Sequence, residues 1–320
     1  MKVSLVIPGR NVSGTIKRCL ESVVPMLGQN ELEEIIFVDD GSIDSTAEIV
    51  QNYPIRYHWQ KTQGPGAARN TGWLTAKGEL IWFVDADCIA EPDALSILLE
   101  HMKNPQIAGA GGSYGNAHEN SLLACLIHEE IVERHRRMPL IVNFLATFNV
   151  LYRRDILERV NGFDETYLKA QDAELAYRIR QAGGKLTFDQ RSRVKHHHPV
   201  KTTSYLRTQY FQAYWRMHLY ARHPGKMMGD SYSSIVDHMQ PILAVAALGV
   251  LLFCLFLPLF GIFSLITILL LIAQLPMTFR LANRCGILYL LFAPMSFIRS
   301  FARGIGMTAG IFSVFFDRVK

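Results

Sequence analysis

The feature that most restricts this chain is a gap in its charge: from Met239 to Phe279, 41 consecutive residues include no Asp, Glu, Lys, Arg or His. At roughly 1.5 Å per helical residue, such a run is about twice the thickness of a bilayer's hydrocarbon core. The sequence therefore predicts two membrane spans, about 241–257 and 260–279, turned at "LPLFG". That turn is uncharged, whereas Arg280 and Arg284 follow the second span. Lys and Arg collect on the cytoplasmic side of membranes, so the expectation is a multi-pass cell-membrane protein with residues 1–226 in the cytoplasm and residues 227–320 forming the membrane region. Residues 287–316 carry Arg299 and Arg303 one helical turn apart. Arginines are costly at mid-bilayer, so an interfacial or re-entrant helix is preferred there over a third span.

Charge is distributed unevenly. Residues 237–320 hold six Lys/Arg against two acids, so most of the net +5 belongs to the tail and the remainder is nearly neutral. Nucleic acid is accordingly excluded as a partner. From Arg191 to Lys226 the chain carries eight Lys/Arg, five His and no acid. A basic juxtamembrane segment from about 191, facing anionic lipid headgroups, is expected, with a solvated charged face as the alternative. Cys19, Cys88, Cys125, Cys254 and Cys285 are scattered without a C-x-x-C pair, which indicates neither a disulfide framework nor a zinc site and fits a reducing compartment. The opening "MKVSLVIPGR" reads as a strand, not a signal peptide.

Ahead of the tail, "VSLVIPG", "EEIIFVDDGS" and "LIWFVDADC" are apolar runs that end in polar or glycine-containing turns. Between them, "SGTIKRCLESVVPML" places Ile16, Leu20, Val23 and Val24 at helical spacing. Strands alternating with helices predict an α/β fold with a mostly parallel sheet and flanking helices, whose ligands bind outside the carboxyl ends of the strands. "QGPGAARNTGWLTAKG" reads as a glycine-rich turn into a helix with Arg69 near its start, and a further helix is expected from about Gln171 to Ala182, stopped by Gly183 and Gly184.

Asp85 and Asp87 close the third apolar run, and at strand periodicity they project toward the same side. Two like charges so placed repel unless a cation joins them, and hard oxygen ligands suit Mg²⁺ or Mn²⁺. Taken alone, D-x-D is also an ordinary strand-end turn, as D-G-S is in "DDGS". Of His196, His197 and His198, consecutive strand residues point to alternate faces, so one metal or phosphate contact plus two solvated rings is expected. Arg153 and Arg154 read equally as a helix-start surface pair or as acceptor or diphosphate binders.

Taken together, "VIPGRN", "VDDGSIDST", "GPGAARNTG", "FVDADC", "GFDE" and "QDAELAYR" resemble, in order and spacing, the family 2 glycosyltransferases, over roughly residues 1 to 220. The resemblance implies a GT-A fold, Rossmann-like, plus C-terminal transmembrane helices, and transfer of a sugar from a nucleotide-sugar donor with inversion at the anomeric carbon. It implies further that Pro8, Arg10, Asn11, Asp39, Asp40, Arg69 and Asp85 bind the donor. By the same resemblance Asp85, Asp87 and His196 meet a divalent cation, Mg²⁺ or Mn²⁺, and Asp172 is the catalytic base. The sequence departs from the family where Gln171 precedes that base in place of an acid, and where Trp215 and Arg216 reverse the signature of processive synthases; single-sugar transfer is the expectation. The donor is then a UDP-sugar and the acceptor a lipid-linked or glycan hydroxyl, with membrane lipids as neighbours. A transferase acting on polyprenyl phosphate, and a non-catalytic nucleotide-sugar-binding membrane protein, are the alternatives.

Overall fold

The computed structural model describes residues 1–29 and 31–317. The chain divides into two compact units, one of Met1–His118 with His135–His198 and one of Glu119–Arg134 with Pro199–Lys320. This division falls earlier than the boundary expected at 226, and it draws Glu119–Arg134 out of the α/β part. The physical reason lies in the helices after residue 199, which pack on one another through the ion pairs and glycine contacts described below.

The first unit is built on a sheet of β1 (Val3–Gly9), β2 (Leu32–Asp39), β3 (Arg56–Trp59), β4 (Leu80–Val84), β5 (Cys88–Ala90), β6 (Ile107–Asn116), β7 (Ile141–Val142), β8 (Asn149–Arg153) and β9 (Lys185–His196). Its order is β3-β2-β1-β4-β8-β6-β9-β5, with β7 paired to β9. The strands β1 to β4 run parallel to one another, and β8 inserts antiparallel between β4 and β6. Helices α1 (Ile16–Val23), α2 (Thr46–Val50), α3 (Pro65–Thr75), α4 (Ala94–Met102), α5 (Leu122–His135), α6 (Arg154–Arg159) and α7 (Gln171–Gln181) follow in chain order, α5 lying almost wholly in the second unit.

The near-continuous apolar strands arise because both faces of the sheet are covered. Leu5, Ile7, Phe37, Trp82 and Val84 point into one core with Ile16, Leu20 and Leu98, while Val6, Val38, Ile81 and Phe83 point into the other with Ala68, Ile156 and Ile179. Polar bonds also cross the interior, among them one from Trp82 Nε1 to Asn149 Oδ1 at 3.0 Å. Parallel register sets Gly9 beside Asp39 and Val6 beside Phe83, so the turns after β1, β2 and β4 emerge along one edge.

The second unit contains α8 (Thr202–Arg222), α9 (Ile235–Phe253), α10 (Phe260–Ile272), α11 (Leu275–Cys285) and α12 (Phe292–Asp317). The expected basic segment from 191 is therefore two different structures, since residues through His196 complete β9 and α8 begins at Thr202. Helix α9 starts six residues before the span expected at 241, because Asp237 accepts hydrogen bonds from the Ser234 N–H and Oγ, both at 2.8 Å, and caps it. Among the described residues two helical stretches are long and apolar enough to cross a membrane, Ile235–Phe253 and Phe260–Cys285, the latter comprising α10 and α11. Most of each is uncovered by protein, unlike the core helix of a soluble domain. Helix α12 runs unbroken, so no re-entrant turn interrupts it. Its Arg299 is buried and donates to Glu130 Oε2 at 2.5 Å, Ser296 Oγ at 2.7 Å and the Tyr205 hydroxyl at 3.1 Å.

Candidate active site at the sheet edge

The loops after β1 and β2 are stitched together. Asn11, held at φ 53°, accepts from the Ile43 N–H at 2.9 Å and donates its own N–H to Ser42 Oγ at 2.9 Å. Asp39 and Asp40 are both buried. Asp39 accepts from the Ser42 N–H at 2.7 Å and the Tyr57 hydroxyl at 2.8 Å. Asp40 accepts from Gln60 Nε2 and the Gln63 N–H at 2.8 Å, and from the Gly64 N–H at 2.9 Å. These carboxylates fix the chain that leads into α3, and Gly64, at φ 101°, takes a conformation that suits glycine. Pro8 is buried inside β1, whereas Arg10 is exposed at its end.

Strand β4 stops at Val84, so Asp85 and Asp87 lie in a turn and not on a continuing strand as expected; the Cys88 N–H closes that turn on the Asp85 carbonyl at 2.9 Å. The two carboxylates consequently take different partners. Arg69, buried in α3, donates to Asp85 Oδ1 at 2.6 Å. Asp87 Oδ2 lies 3.3 Å from His196 Nε2. The pairing of Cys88 with His196 across β5 and β9 brings these two together, and the His197 N–H also donates to the Asp87 carbonyl at 3.2 Å.

Burial by itself would push the Asp87 carboxyl up, but the His196 hydrogen bond and charge outweigh it and hold the group below its ordinary value. His196 is the mirror case, pulled down by burial and held above its ordinary value by Asp87. Asp87, Cys88 and His196 have ligand atoms within 4.8 Å of one another. Burial and the carboxylates of Asp87 and Asp85 push the Cys88 thiol well up, which leaves a carboxylate and an imidazole as the donors that could hold a cation. Asp85, expected in the same set, is turned to Arg69.

The other two histidines are not solvated as expected. His198 is buried, its N–H donating to the His196 carbonyl at 3.0 Å, and its Nδ1 lies 3.2 Å from His196 Nδ1. His197 Nδ1 sits 3.0 Å from His118 Nε2, and burial with the His118 charge pulls its pKa down. Strand alternation fails here because β9 ends at His196. His118 and Cys88 are the site neighbours the sequence reading missed; Cys88 stood in the quoted "FVDADC", whereas His118 has no sequence signal.

Asp172 opens α7 in its first turn and accepts the Ala173 N–H at 2.8 Å. Asp172 and Arg69 both act electrostatically on the buried Tyr152 hydroxyl, the carboxylate raising its pKa and the guanidinium lowering it, after burial as the main cause of the rise. Asp172 of α7 and Arg69 of α3 are thus both within electrostatic reach of the same hydroxyl. Gln171 lies beside Gly66 of α3, where a Cβ would come within 3.0 Å of its Oε1. Arg153 and Arg154 do not join. Arg153 donates to the carbonyls of Ile107, Met102 and Asn104, and Arg154 to those of Gly78, Trp73 and Ala76, at the opposite end of β4.

Sheet order, covered faces and strand-end carboxylates define a GT-A-like α/β protein. Residues 4–160 match Glycosyl transferase family 2, and the chain is a member of that family. It is 26% identical over 235 residues to the pre-mycofactocin glycosyltransferase of Mycobacterium tuberculosis, covering 70% of this chain and 48% of that protein. It is 27% identical over 193 residues to the glycosyltransferase AglE of Haloferax volcanii, covering 58% of this chain and 64% of that one. The chain thus spans about half the length of the first relative and less than two thirds of the second. Among solved structures it is similar to the mannosyltransferase PcManGT of Pyrobaculum calidifontis in complex with GDP-Man and Mn²⁺, with a TM-score of 0.56, 16% identity and coverage of 99% and 87% of the two chains. It is also similar to Staphylococcus aureus TarS, with a TM-score of 0.52, 18% identity and coverage of 76% and 42%. At these identities the likeness is one of fold.

Proposed function

We propose that this chain is an inverting glycosyltransferase that moves a single sugar from a nucleotide-sugar donor, a UDP-sugar, to a hydroxyl of a lipid-linked or glycan acceptor at the cytoplasmic face of a membrane. The observation that carries the reading is the pair of contacts on one turn, Arg69 with Asp85 and His196 with Asp87, together with Asp172 in the first turn of α7. Family membership and the nucleotide sugar in the complex of the Pyrobaculum relative support the same chemistry.

In this reading Arg10 and Asn11 line the floor of the nucleotide pocket with Pro8, while Asp39 and Asp40 hold its walls and face the base and ribose. Arg69, fixed by Asp85, meets the negative diphosphate. Asp87 and His196 would hold a divalent cation, Mg²⁺ or Mn²⁺, which when bound stabilises the negative charge of the departing diphosphate. Asp172 takes the proton of the acceptor hydroxyl as it attacks the anomeric carbon from the opposite side. Residues 1–226 act in the cytoplasm, residues 227–320 associate with the membrane, and Arg280 and Arg284 mark its cytoplasmic side.

The test is to incubate the purified full chain with a panel of nucleotide sugars, Mn²⁺ and a hydroxyl acceptor, and to measure released nucleoside diphosphate. Asp172→Asn should lower transfer by about 10²–10⁴-fold while donor binding persists. A folded Asp172→Asn protein that transfers at the wild-type rate removes Asp172 from the base role; no release with any donor removes the transferase reading.

A further inference from the structure

Strand β9 ends at His196, and the chain turns back on itself directly afterwards, the His198 N–H donating to the His196 carbonyl at 3.0 Å. That turn brings the two imidazoles together, Nδ1 to Nδ1 at 3.2 Å, with ring centroids 4.8 Å apart and planes inclined by 57°. Tyr114 meets both rings at a steep angle, its centroid 5.0 Å from that of His196 and 5.7 Å from that of His198. His198 is 3% exposed, so bulk water does not compete for the contact. The other nitrogen of His196, Nε2, is the one that faces Asp87 Oδ2 at 3.3 Å. The two nitrogens of one ring are thus assigned to two different neighbours.

A neutral imidazole has one N–H and one lone pair, and two ring nitrogens at hydrogen-bond distance attract only when one of them carries the hydrogen. A cation shared with Asp87 takes the lone pair of His196 Nε2. The hydrogen of His196 then sits on Nδ1, and His198 Nδ1 is the atom placed to accept it. We propose that His198 is a positioning residue of the cation site, holding His196 in the tautomer and ring orientation that present Nε2 to the metal. Histidines that bind metals are commonly oriented in this way by a group that takes the opposite N–H. Here that group is a second imidazole two residues on, brought into place because the strand stops at the first. The inference rests on the proposed role of His196 as a cation donor and adds the residue that prepares it.

The experiment titrates Mn²⁺ into the purified full chain by calorimetry, with neither sugar donor nor acceptor present. His198→Leu, which keeps bulk but removes the acceptor, should weaken Mn²⁺ binding by about 10- to 100-fold. The amide oxygen of asparagine stands where Nδ1 of histidine does, so His198→Asn should stay within about threefold of the wild type. Glutamine reaches instead to the position of Nε2, and His198→Gln should not rescue. In a His196→Ala background, His198→Leu should have no further effect, because the ring it positions is gone. Full affinity in folded His198→Leu, or the same loss with and without His196, overturns the positioning role. Should His198→Leu fail to fold, the comparison of Asn with Gln decides, and equal affinities overturn the proposal. Wild-type affinity in His196→Ala instead overturns the reading of His196 as a donor, so the two failures are read apart.

Discussion

The two units handle charge in opposite ways. At the sheet edge, Asp85 and Asp87 keep 32% and 40% of their side chains exposed, and each carries one ionic partner. In the helical unit Glu130 is 5% exposed, and both of its oxygens are spent on arginines. A carboxylate with coordination to spare at the mouth of a strand is suited to receive a ligand, whereas a saturated one between helices is suited to hold them in register. A saturated buried pair need not exceed a hydrophobic replacement in stability, but losing one partner leaves a stranded charge. The same residue type therefore predicts a binding defect in one unit and a folding defect in the other.

The largest effect should come from Glu130→Gln, which leaves Arg299 without its carboxylate and weakens the hold on Arg134. Stability of the helical unit should fall by about 3–5 kcal/mol, read as a lowered thermal unfolding temperature of the full chain in detergent. An unchanged melt would erase the distinction between the two units.

This pair also shows where sequence reading stops. Arg299 looked costly because the segment around it is mostly apolar and offers no acid, and its neutralising partner lies 169 residues away on a helix that sequence order assigns to the α/β part. Long-range neutralisation leaves no local pattern. By contrast, the helix expected at about 171–182 formed as Gln171–Gln181, because alternating small and apolar residues and two following glycines are local signals. The strand-end placement of Asp85 and Asp87 was likewise legible from the apolar run before them. Their divergence, one to Arg69 and one to His196, was not, because it depends on β5 turning back to pair with β9.

Asp87→Ala sharpens the comparison from the other side. It removes one of two donors at a partly exposed turn, so Mn²⁺ affinity by calorimetric titration should fall by roughly 10²-fold, about 2.7 kcal/mol. The melting temperature should move only as far as a loss of about 1 kcal/mol or less takes it, since a partly exposed ion pair contributes little. A large loss of stability with retained metal affinity would make Asp87 a structural residue like Glu130.

Close backbone approach is the second device that holds the helical unit. A Cβ on Gly306 would run into the Tyr210 carbonyl oxygen, and one on Gly310 would lie 2.6 Å from that of Tyr214, so α8 and α12 meet where side chains are absent. Gly306→Ala should cost about 1–3 kcal/mol by overpacking, despite the better helix propensity of alanine. The same change at Gly14, where nothing lies within 4 Å, is the control and should not destabilise by a comparable amount. Equal melting of the two variants would contradict the tight α8–α12 contact.

The smallest effect returns to the sheet, where Glu34, like Asp39 and Asp40, is a carboxylate whose oxygens are already engaged. It accepts from Ser4 Oγ and the Lys77 N–H at 2.6 Å and from Arg56 at 2.5 Å, tying β1 and β3 to the chain entering β4. Burial alone would raise its pKa, but the Ser4, Lys77 and Arg56 hydrogen bonds outweigh it and lower the group below its ordinary value. With a depressed folded pKa, the unfolded chain takes up the proton first as pH falls. The stabilisation is therefore present above the ordinary carboxylate range and is lost as pH drops through the folded value. Arg56 is partly exposed, which screens the pair and limits the contribution to about 1 kcal/mol or less. Glu34→Gln should lower the urea midpoint at neutral pH and converge on wild type in acid. Two curves that stay parallel across that range would show that the Glu34 charge does not contribute to holding this edge of the sheet.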